Sequence, residues 1–389
     1  MRSLEASAET RTNDSVASGD DGRLCYLCFQ ATKQGQASHA HVNEIIRGLE
    51  HRGWSVSLYE PDYGSASQPP ALWRKVAAYL PTQLRLWQAS PRPKVLYVRA
   101  HPAALPSLIW ARLNGIVVIE EVNGTFEDLR LMYPFLWPLF PFIYGASLTS
   151  LLLADGVITV TNELREWLQT KAKGKLITVV PNGANTELFH PGEAAKELGD
   201  QPYVAYVGVM SPWQGLETML AAACLPQWPD SVRLVLVGAG VEQAKAEAAA
   251  VLNKRVIYLG RRDYREIPGI LRGAIAGLSV QNTRRHSQKF GFSALKVFET
   301  LACGVPVIVT GFPGQRELVA DTGSGLVIPP DDPEALANAV RELSGNPEAA
   351  RQMGMRGREA VVREHSWQRR ADDTGDAIRQ AIARKAAHA

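Results

Sequence analysis

The chain has 389 residues, too many for one small hydrophobic core, so two domains are the natural expectation. With 46% hydrophobic and 21% charged residues it reads as an ordinary globular protein. A formal net charge of +3, with no Arg/Lys block and no RNA-type aromatic motif, sets nucleic acid aside as a partner.

Residues 1–22 are polar and acidic with no apolar core. They read as a disordered N-terminal segment and not as a signal peptide, so the protein is expected in the cytoplasm. Cys25 and Cys28 form a C-x-x-C, but within an apolar, strand-like run and without a second pair. They read as buried thiols of a reducing compartment.

From there strands and helices alternate. Residues 23–30 read as a strand, the helical period of His-Val-Asn-Glu-Ile-Ile-Arg-Gly-Leu49 carries a helix through Arg52, and Gly53 caps it. Strands follow at 55–59, 94–99, 116–120, 155–161 and 177–180, with helices at 105–113 and 163–169. Pro181-Asn-Gly183 breaks the pattern. A second series then starts: strands at 203–208, 233–238, 256–260, 277–280 and 326–328, and helices at 216–225, 242–251, 267–272 and 333–343. Such alternation predicts an α/β chain of two Rossmann-like domains whose parallel sheets face each other across a cleft. The expected division is 23–190 for the first domain and 191–365 for the second, with residues 366–389 as an amphipathic helix packing back across both.

The most informative stretch is Phe290-Gly-Phe-Ser-Ala-Leu-Lys-Val-Phe-Glu-Thr-Leu-Ala-Cys-Gly-Val-Pro-Val-Ile-Val309. It reads as a Gly-containing loop, a short helix and a buried strand. A helix opening in such a loop turns free N–H groups and the positive end of its dipole toward an anion. Glu299, further along that helix, can accept hydrogen bonds from neutral hydroxyls beside the anion. Phosphate and sugar hydroxyls together describe a nucleotide or nucleotide-sugar site.

Three segments resemble, in order and spacing, the landmarks of family-4 glycosyltransferases, which are retaining enzymes of the GT-B fold. They are Val179-Val-Pro-Asn-Gly183 running on to Pro191, Tyr203-Val-Ala-Tyr-Val-Gly208 with Gln214-Gly215, and Phe298-Glu-Thr-Leu-Ala-Cys-Gly304. The resemblance extends from about Arg23 to His365-Ser-Trp367. It implies that the second domain holds a nucleoside diphosphate sugar and the first receives a hydroxyl acceptor. By resemblance Glu299 binds the ribose hydroxyls, and Gly291, Phe292, Ser293, Ala294 and Leu295 face the diphosphate. Gly208 and Gln214 line the donor from the second domain's first loop, and Gly35 approaches from the other domain.

Departures from the family pattern sharpen the picture. A Glu usual eight residues before Glu299 is Gly291 here, and the usual Arg and Lys fall on Val209 and Gln214. Ser293, Lys296 and Gln214-Gly215 instead fit a sub-pattern with Ser-x-x-Lys before the Glu. Cations that neutralise a leaving diphosphate are worth several kcal/mol in the transition state. Lys296 and Arg261 are the leading replacements, ahead of Arg262, Arg284, Arg285 and Lys289. Asn123 stands where family members often carry a His, and Glu121 is a candidate to orient the acceptor hydroxyl from a strand end facing the cleft. The resemblance implies front-face attack, with the leaving phosphate taking the proton and no metal or other cofactor required. Two other functions remain: a degenerate protein that binds a nucleotide-sugar or partner without turnover, and a nucleotide-sugar epimerase. For the latter His39, His41 and His101 are the only cleft-side histidines.

Between Arg130 and Asp155 no residue is charged, a length that can span a bilayer, but Pro134, Pro138 and Pro141 argue against a clean helix. Residues 72–87 interleave Trp, Tyr and Leu with Arg and Lys, as interfacial segments do. These segments are expected to dock shallowly on a membrane, to pack in the core or between helices, or, least favoured, to span a bilayer. Docking would place the protein at the inner face of a membrane with a lipid-linked or membrane-borne acceptor.

Overall fold

A computed structural model describes residues 22–30, 32, 37–63, 71–128, 134–284 and 286–388. The expected disordered segment, Gly35 and Arg285 lie outside the described residues, apart from Gly22. Strands β1 (Arg23–Leu27), β2 (Ser55–Tyr59), β3 (Val95–Arg99), β4 (Val117–Val122), β5 (Gly156–Thr159) and β6 (Ile177–Val179) form one sheet in the order β2-β1-β3-β4-β5-β6. Strands β7 (Tyr203–Val207), β8 (Arg233–Val237), β9 (Val256–Gly260), β10 (Ala276–Ser279), β11 (Val307–Thr310) and β12 (Gly325–Ile328) form a second, in the order β12-β11-β10-β7-β8-β9. Neighbouring strands are parallel throughout. This is the two-Rossmann-domain GT-B architecture read from the alternation of elements.

Parallel strands must be covered on both faces, which is why runs such as Val-Leu-Tyr-Val in β3 are apolar on either side. One face of the first sheet packs Leu27, Leu96, Val98, Val118 and Val122 beneath helices α2 (Leu72–Trp87), α3 (Leu105–Leu113), α4 (Phe140–Leu153) and α5 (Asn162–Lys171). The opposite face sets Leu24, Tyr26, Tyr97 and Ile119 against α1 (Ala37–Glu50) and the last helix of the chain. In the second domain α6 (Leu216–Ala222), α7 (Gln243–Leu252) and α11 (Pro333–Gly345) cover one face. Helices α8 (Ile267–Arg272), α9 (Leu295–Ala302) and α12 (Pro347–Glu364) cover the other, and α10 (Gln315–Thr322) lies between β11 and β12 in the chain. Helices α2, α4, α10 and α12 extend the elements read from the sequence, α4 forming with Pro141 in its first turn, where proline is tolerated.

The chain crosses between domains twice, side by side. Ala184 donates its N–H to His365 O at 2.9 Å and its carbonyl accepts from Trp367 N at 3.1 Å. Ser366 then caps α13 (Trp367–Ala386), its side chain accepting from Arg369 N. The helix buries Trp367, Ala377, Ile378 and Ala381 in the first domain's core, the larger side chains contributing on the order of 2 kcal/mol each. The final helix therefore belongs to the first domain in space, although the second domain precedes it in the chain.

Among the described residues one helical stretch, Phe135–Leu153, is long and apolar enough to cross a membrane, with mean hydropathy 1.5. It comprises a 3-10 segment, Pro134–Leu139, and α4. Only 17% of its most apolar window is buried. Its inner side packs Tyr144, Leu148 and Leu151 into the first domain's core, and its outer side is exposed.

Candidate donor site and the interdomain contacts

Helix α9 opens at Ala294 with extended backbone and no side-chain cap, so its first N–H groups are left for the cleft. Good helix formers continue it, Val297, Phe298, Leu301 and Ala302 bury its inner face, and Gly304 at φ +76° followed by Pro306 ends it. Gly291 explains itself in the same geometry. It sits at φ +76°, and a Cβ there would lie 2.7 Å from Pro313 O, so a side chain is excluded where the family pattern has Glu. Phe292 N bonds that same carbonyl at 3.3 Å, and its ring faces Phe312 at 6.2 Å.

Glu299 and Lys296 stand one turn apart on α9. Glu299 is buried, and its Oε1 accepts a hydrogen bond from the Tyr264 hydroxyl at 2.7 Å. Burial pushes the carboxyl up to about 7, against the opposing pull of Tyr264 and Lys296. Lys296 is pushed down to about 7 by desolvation, with Glu299 working in the other direction. Its ammonium lies 2.9 Å from Gln214 Oε1 and 4.0 Å from the centre of the Tyr206 ring. Gly208 makes room for it: φ is +153°, and a Cβ would come 2.9 Å from Lys296 Nζ. The structure thus brings Lys296, Gln214, Gly208 and Glu299 together.

Three other candidate cations have neighbours of their own in the free chain. Arg284 pairs with Glu217 at 2.5 Å and Arg262 with Glu197 at 3.2 Å. Lys289 lies over the Phe290 ring at 5.0 Å. Arg261 is exposed, whereas Tyr264, three residues on in the same loop, is the group that reaches Glu299.

The first domain requires a correction. The polar end of β4 does not face the cleft, because strand alternation turns Glu120 and Glu121 to opposite faces of a sheet covered on both sides, and both are buried. Glu121 Oε2 accepts from Tyr26 OH at 3.0 Å and Tyr97 OH at 2.8 Å. His41 Nε2 lies 3.0 Å and Arg99 Nη1 3.7 Å from Oε1, and Asn123 Nδ2 donates to the same atom. Burial works against the Glu121 carboxylate, but His41, Arg99 and these hydrogen bonds hold it well below the usual range. A group so saturated is not free to orient an acceptor hydroxyl. Asn123 keeps a buried Oδ1 without a hydrogen-bond partner, as do Thr125 Oγ1 and Glu127 Oε2 on the loop leaving β4. His101 caps a short 3-10 turn and is pushed down to about 4 by burial, which leaves it neutral near pH 7. The side chain of His39 lies outside the described residues.

Contacts between the domains converge on the loop before α9. Thr161 Oγ1 donates to Phe290 O at 2.6 Å. Asn182 donates its backbone N–H to Ser293 Oγ at 2.8 Å and its Nδ2 to Ser293 O at 2.5 Å. Leu295 packs against the first domain's core. Sequence reasoning missed Tyr264 and the role of Asn182; the latter lies inside the Pro181-Asn-Gly183 landmark, but its partners are remote in the chain. Among the described residues no group of three or more His, Cys, Asp or Glu side chains could hold a metal ion.

Residues 38–188 match the family model described as Glycosyltransferase Family 4, and residues 193–360 match that of Glycosyl transferases group 1. The chain is 30% identical over 258 residues to the alpha-maltose-1-phosphate synthase of Mycolicibacterium smegmatis, covering 60% of this chain and 65% of that one. It is 31% identical over 221 residues to the D-inositol 3-phosphate glycosyltransferase of Segniliparus rotundus, covering 53% and 47%. It thus spans about half to two thirds of the length of these curated relatives. Sucrose-phosphate synthase from Thermosynechococcus elongatus superposes with TM-score 0.77 at 21% identity, over 93% of this chain and 99% of that one. Anabaena HepE in complex with UDP-glucose superposes with TM-score 0.68 at 16% identity, over 92% and 99%. These likenesses in structure establish the fold.

Proposed function

Taking the chain as a member of the family-4, GT-B class of glycosyltransferases, we propose that it moves a sugar from a nucleoside diphosphate sugar to a hydroxyl acceptor with retention of configuration. The observation that carries the reading is the Lys296–Glu299 pair on α9, Lys296 in its uncapped first turn and Glu299 one turn on. A diphosphate accepts hydrogen bonds from the helix N–H groups and restores full charge to Lys296, which desolvation has weakened. Glu299 has one oxygen on Tyr264 and can take the ribose hydroxyls on the other. Anabaena HepE was solved with UDP-glucose, which supports a nucleotide sugar as donor. Phosphate charge met by Lys296 and backbone dipoles requires no metal and no other cofactor.

In this reading the leaving phosphate takes the acceptor's proton. The saturation of Glu121 supports that route, since its carboxylate is taken up by partners within the protein and is not free to act as base. Asn123, with its unpaired Oδ1, is the acceptor-side group proposed to receive the attacking hydroxyl. The deciding experiment measures nucleotide release from UDP-, GDP-, ADP- and dTDP-sugars beside thermal shifts with the free nucleotides. Release with one donor, lost in Glu299→Gln, is expected. Binding without release from any donor would replace this reading with a non-catalytic nucleotide-sugar binder.

The acceptor is proposed to be membrane-borne, and the protein peripheral to an inner membrane face. Helices α2, α3 and α4 present Trp73, Leu113 and Phe142 at 68%, 82% and 77% exposure, and Trp137 beside them is 55% exposed. These three helices carry Arg74, Lys75, Arg85 and Arg112 and no acidic side chain. That composition fits an anionic bilayer surface. Flotation with anionic vesicles should recover the wild type and leave a Trp137→Ser/Phe142→Ser variant behind; equal recovery of both sinks the docking surface.

A further inference from the structure

His41 and Asn182 play no part in the donor chemistry described above, yet they close a continuous path between the two domains. His41 lies on α1 with Nε2 3.0 Å from Glu121 Oε1 and Nδ1 2.8 Å from Asn182 Oδ1. Asn182 turns its other amide atom, Nδ2, to Ser293 O, and its backbone N–H to Ser293 Oγ. The amide orientation is settled by its partners, because only the NH2 end can face a carbonyl. The path therefore runs from a buried carboxylate of the first sheet, through the imidazole and the linker, to the residue preceding the α9 cap.

A second brace repeats the first one helical turn further along. Glu44 is three residues after His41 and on the same face of α1, and its Oε1 accepts from Asn185 Nδ2 at 2.8 Å. Arg358 of α12 grips the same linker from the other domain, donating to Phe189 O at 2.8 Å. Thr161 holds Phe290 O, so the loop 291–292 is gripped by the first domain on one side and by the linker on the other. Within the loop, Gly291 N donates to Gln288 O at 3.0 Å and Phe292 N to Pro313 O at 3.3 Å, while Gly291 adds no side chain and α9 lacks a capping side chain, so the grips at Phe290 and Ser293 are its ties to the first domain and the linker.

We propose that His41 and Asn182 are positioning residues that hold the donor loop 291–294 in shape through this path, so that the N–H groups of α9 keep their aim at the diphosphate. The role at the donor rests on the glycosyltransferase reading, whereas the hold on the loop does not. Glu121 anchors the path because its other partners immobilise it, which turns a saturated carboxylate into a fixed point for a remote loop.

Hydrogen exchange on the ligand-free protein tests the hold directly. Asn182→Ala should speed exchange across residues 286–295 while β7, β8 and β10 keep their protection. Asn182→Asp, which preserves an acceptor for His41 but sets a carboxylate against the Ser293 carbonyl, should loosen the same peptide. Unchanged protection in both variants overturns the proposal. Asn182 sits in the linker, outside both cores, so these variants are expected to fold even where His41→Ala does not. In turnover, Asn182→Ala and His41→Ala should each raise donor KM roughly tenfold, the scale of one lost hydrogen bond, with acceptor KM held. The double variant should be no worse than either single, whereas a multiplied effect of about a hundredfold would show independent roles and overturn the shared path. If wild-type protein binds no nucleoside diphosphate, the donor reading falls, and the exchange measurement still decides the hold on the loop.

Discussion

Glu121 and Glu299 are both buried carboxylates, one in each domain, yet their surroundings drive them in opposite directions. Glu121 is met by two phenols, an imidazole, a guanidinium and an amide, and is held ionised. Glu299 has one phenol as its hydrogen-bond partner and a lysine one turn away, and burial pushes it up to about 7. The first arrangement completes the desolvated charge within the protein, so it serves the fold. The second leaves the charge undersatisfied, which is the state of a group whose remaining partner is a ligand. Glu120 supplies the contrast: pushed up to about 8 by burial, partly offset by Lys175, it carries a proton near neutrality beneath apolar helices and its Oε2 has no hydrogen-bond partner.

The sharpest way to break this contrast is to remove each carboxylate and ask whether stability or donor use suffers. Glu121→Ala leaves Arg99 buried without its counter-charge and two phenols without an acceptor. It should cost about 3–5 kcal/mol in denaturant unfolding, the usual penalty for stripping one partner from a buried pair. A loss under about 1 kcal/mol would mean that the cluster is not structural. Glu299→Gln should do the reverse. Stability of the ligand-free protein should hold or rise, while kcat/KM for donor falls by about a hundredfold, the scale of hydrogen bonds to a charged group.

Much of this was legible in the sequence. The two sheets follow from alternating periodicity, and α9 with Glu299 from a loop–helix–strand pattern whose Gly291, Gly304 and Pro306 punctuate it. The end of β4 was not. Two adjacent Glu residues at a strand end look like cleft-facing polarity, and the reading fails because Tyr26, His41, Tyr97 and Arg99 neutralise Glu121 from distant positions in the chain. Tyr264 and Asn182 escaped for a similar reason. Their partners, Glu299 and Ser293, lie 35 and 111 residues away, and only the packing of loops beyond the strand ends brings them together.

Lys296 ranks next in expected effect. Lys296→Met should lower kcat/KM for donor by more than about tenfold, because the cation found beside Gln214 and Glu299 among the described residues is gone. An unchanged value would remove Lys296 from the site and leave Glu299 without the partner that distinguishes it from Glu121.

The smallest effect, and the most diagnostic, is the dependence on pH. Glu299 has its folded value raised, so between about 4.5 and about 7 the folded protein binds more protons than the unfolded chain and this group's contribution weakens as pH rises. Lys296 has its folded value lowered, so from about 7 to about 10.5 the unfolded chain binds more protons and the contribution strengthens with pH. Together they place a trough near neutrality, and Glu299→Gln should remove its acidic limb, so that its stability gain over wild type grows from pH 4.5 to 7. A diphosphate reverses the balance at Lys296 by favouring the ammonium. Nucleotide binding near pH 7.5 should therefore take up protons, measurable as a buffer-dependent enthalpy, and affinity should weaken a few-fold per pH unit above neutrality. Both signatures should vanish in Lys296→Met. If they persist there, the proton is taken up elsewhere, and the undersatisfied pair on α9 is not what the nucleotide completes.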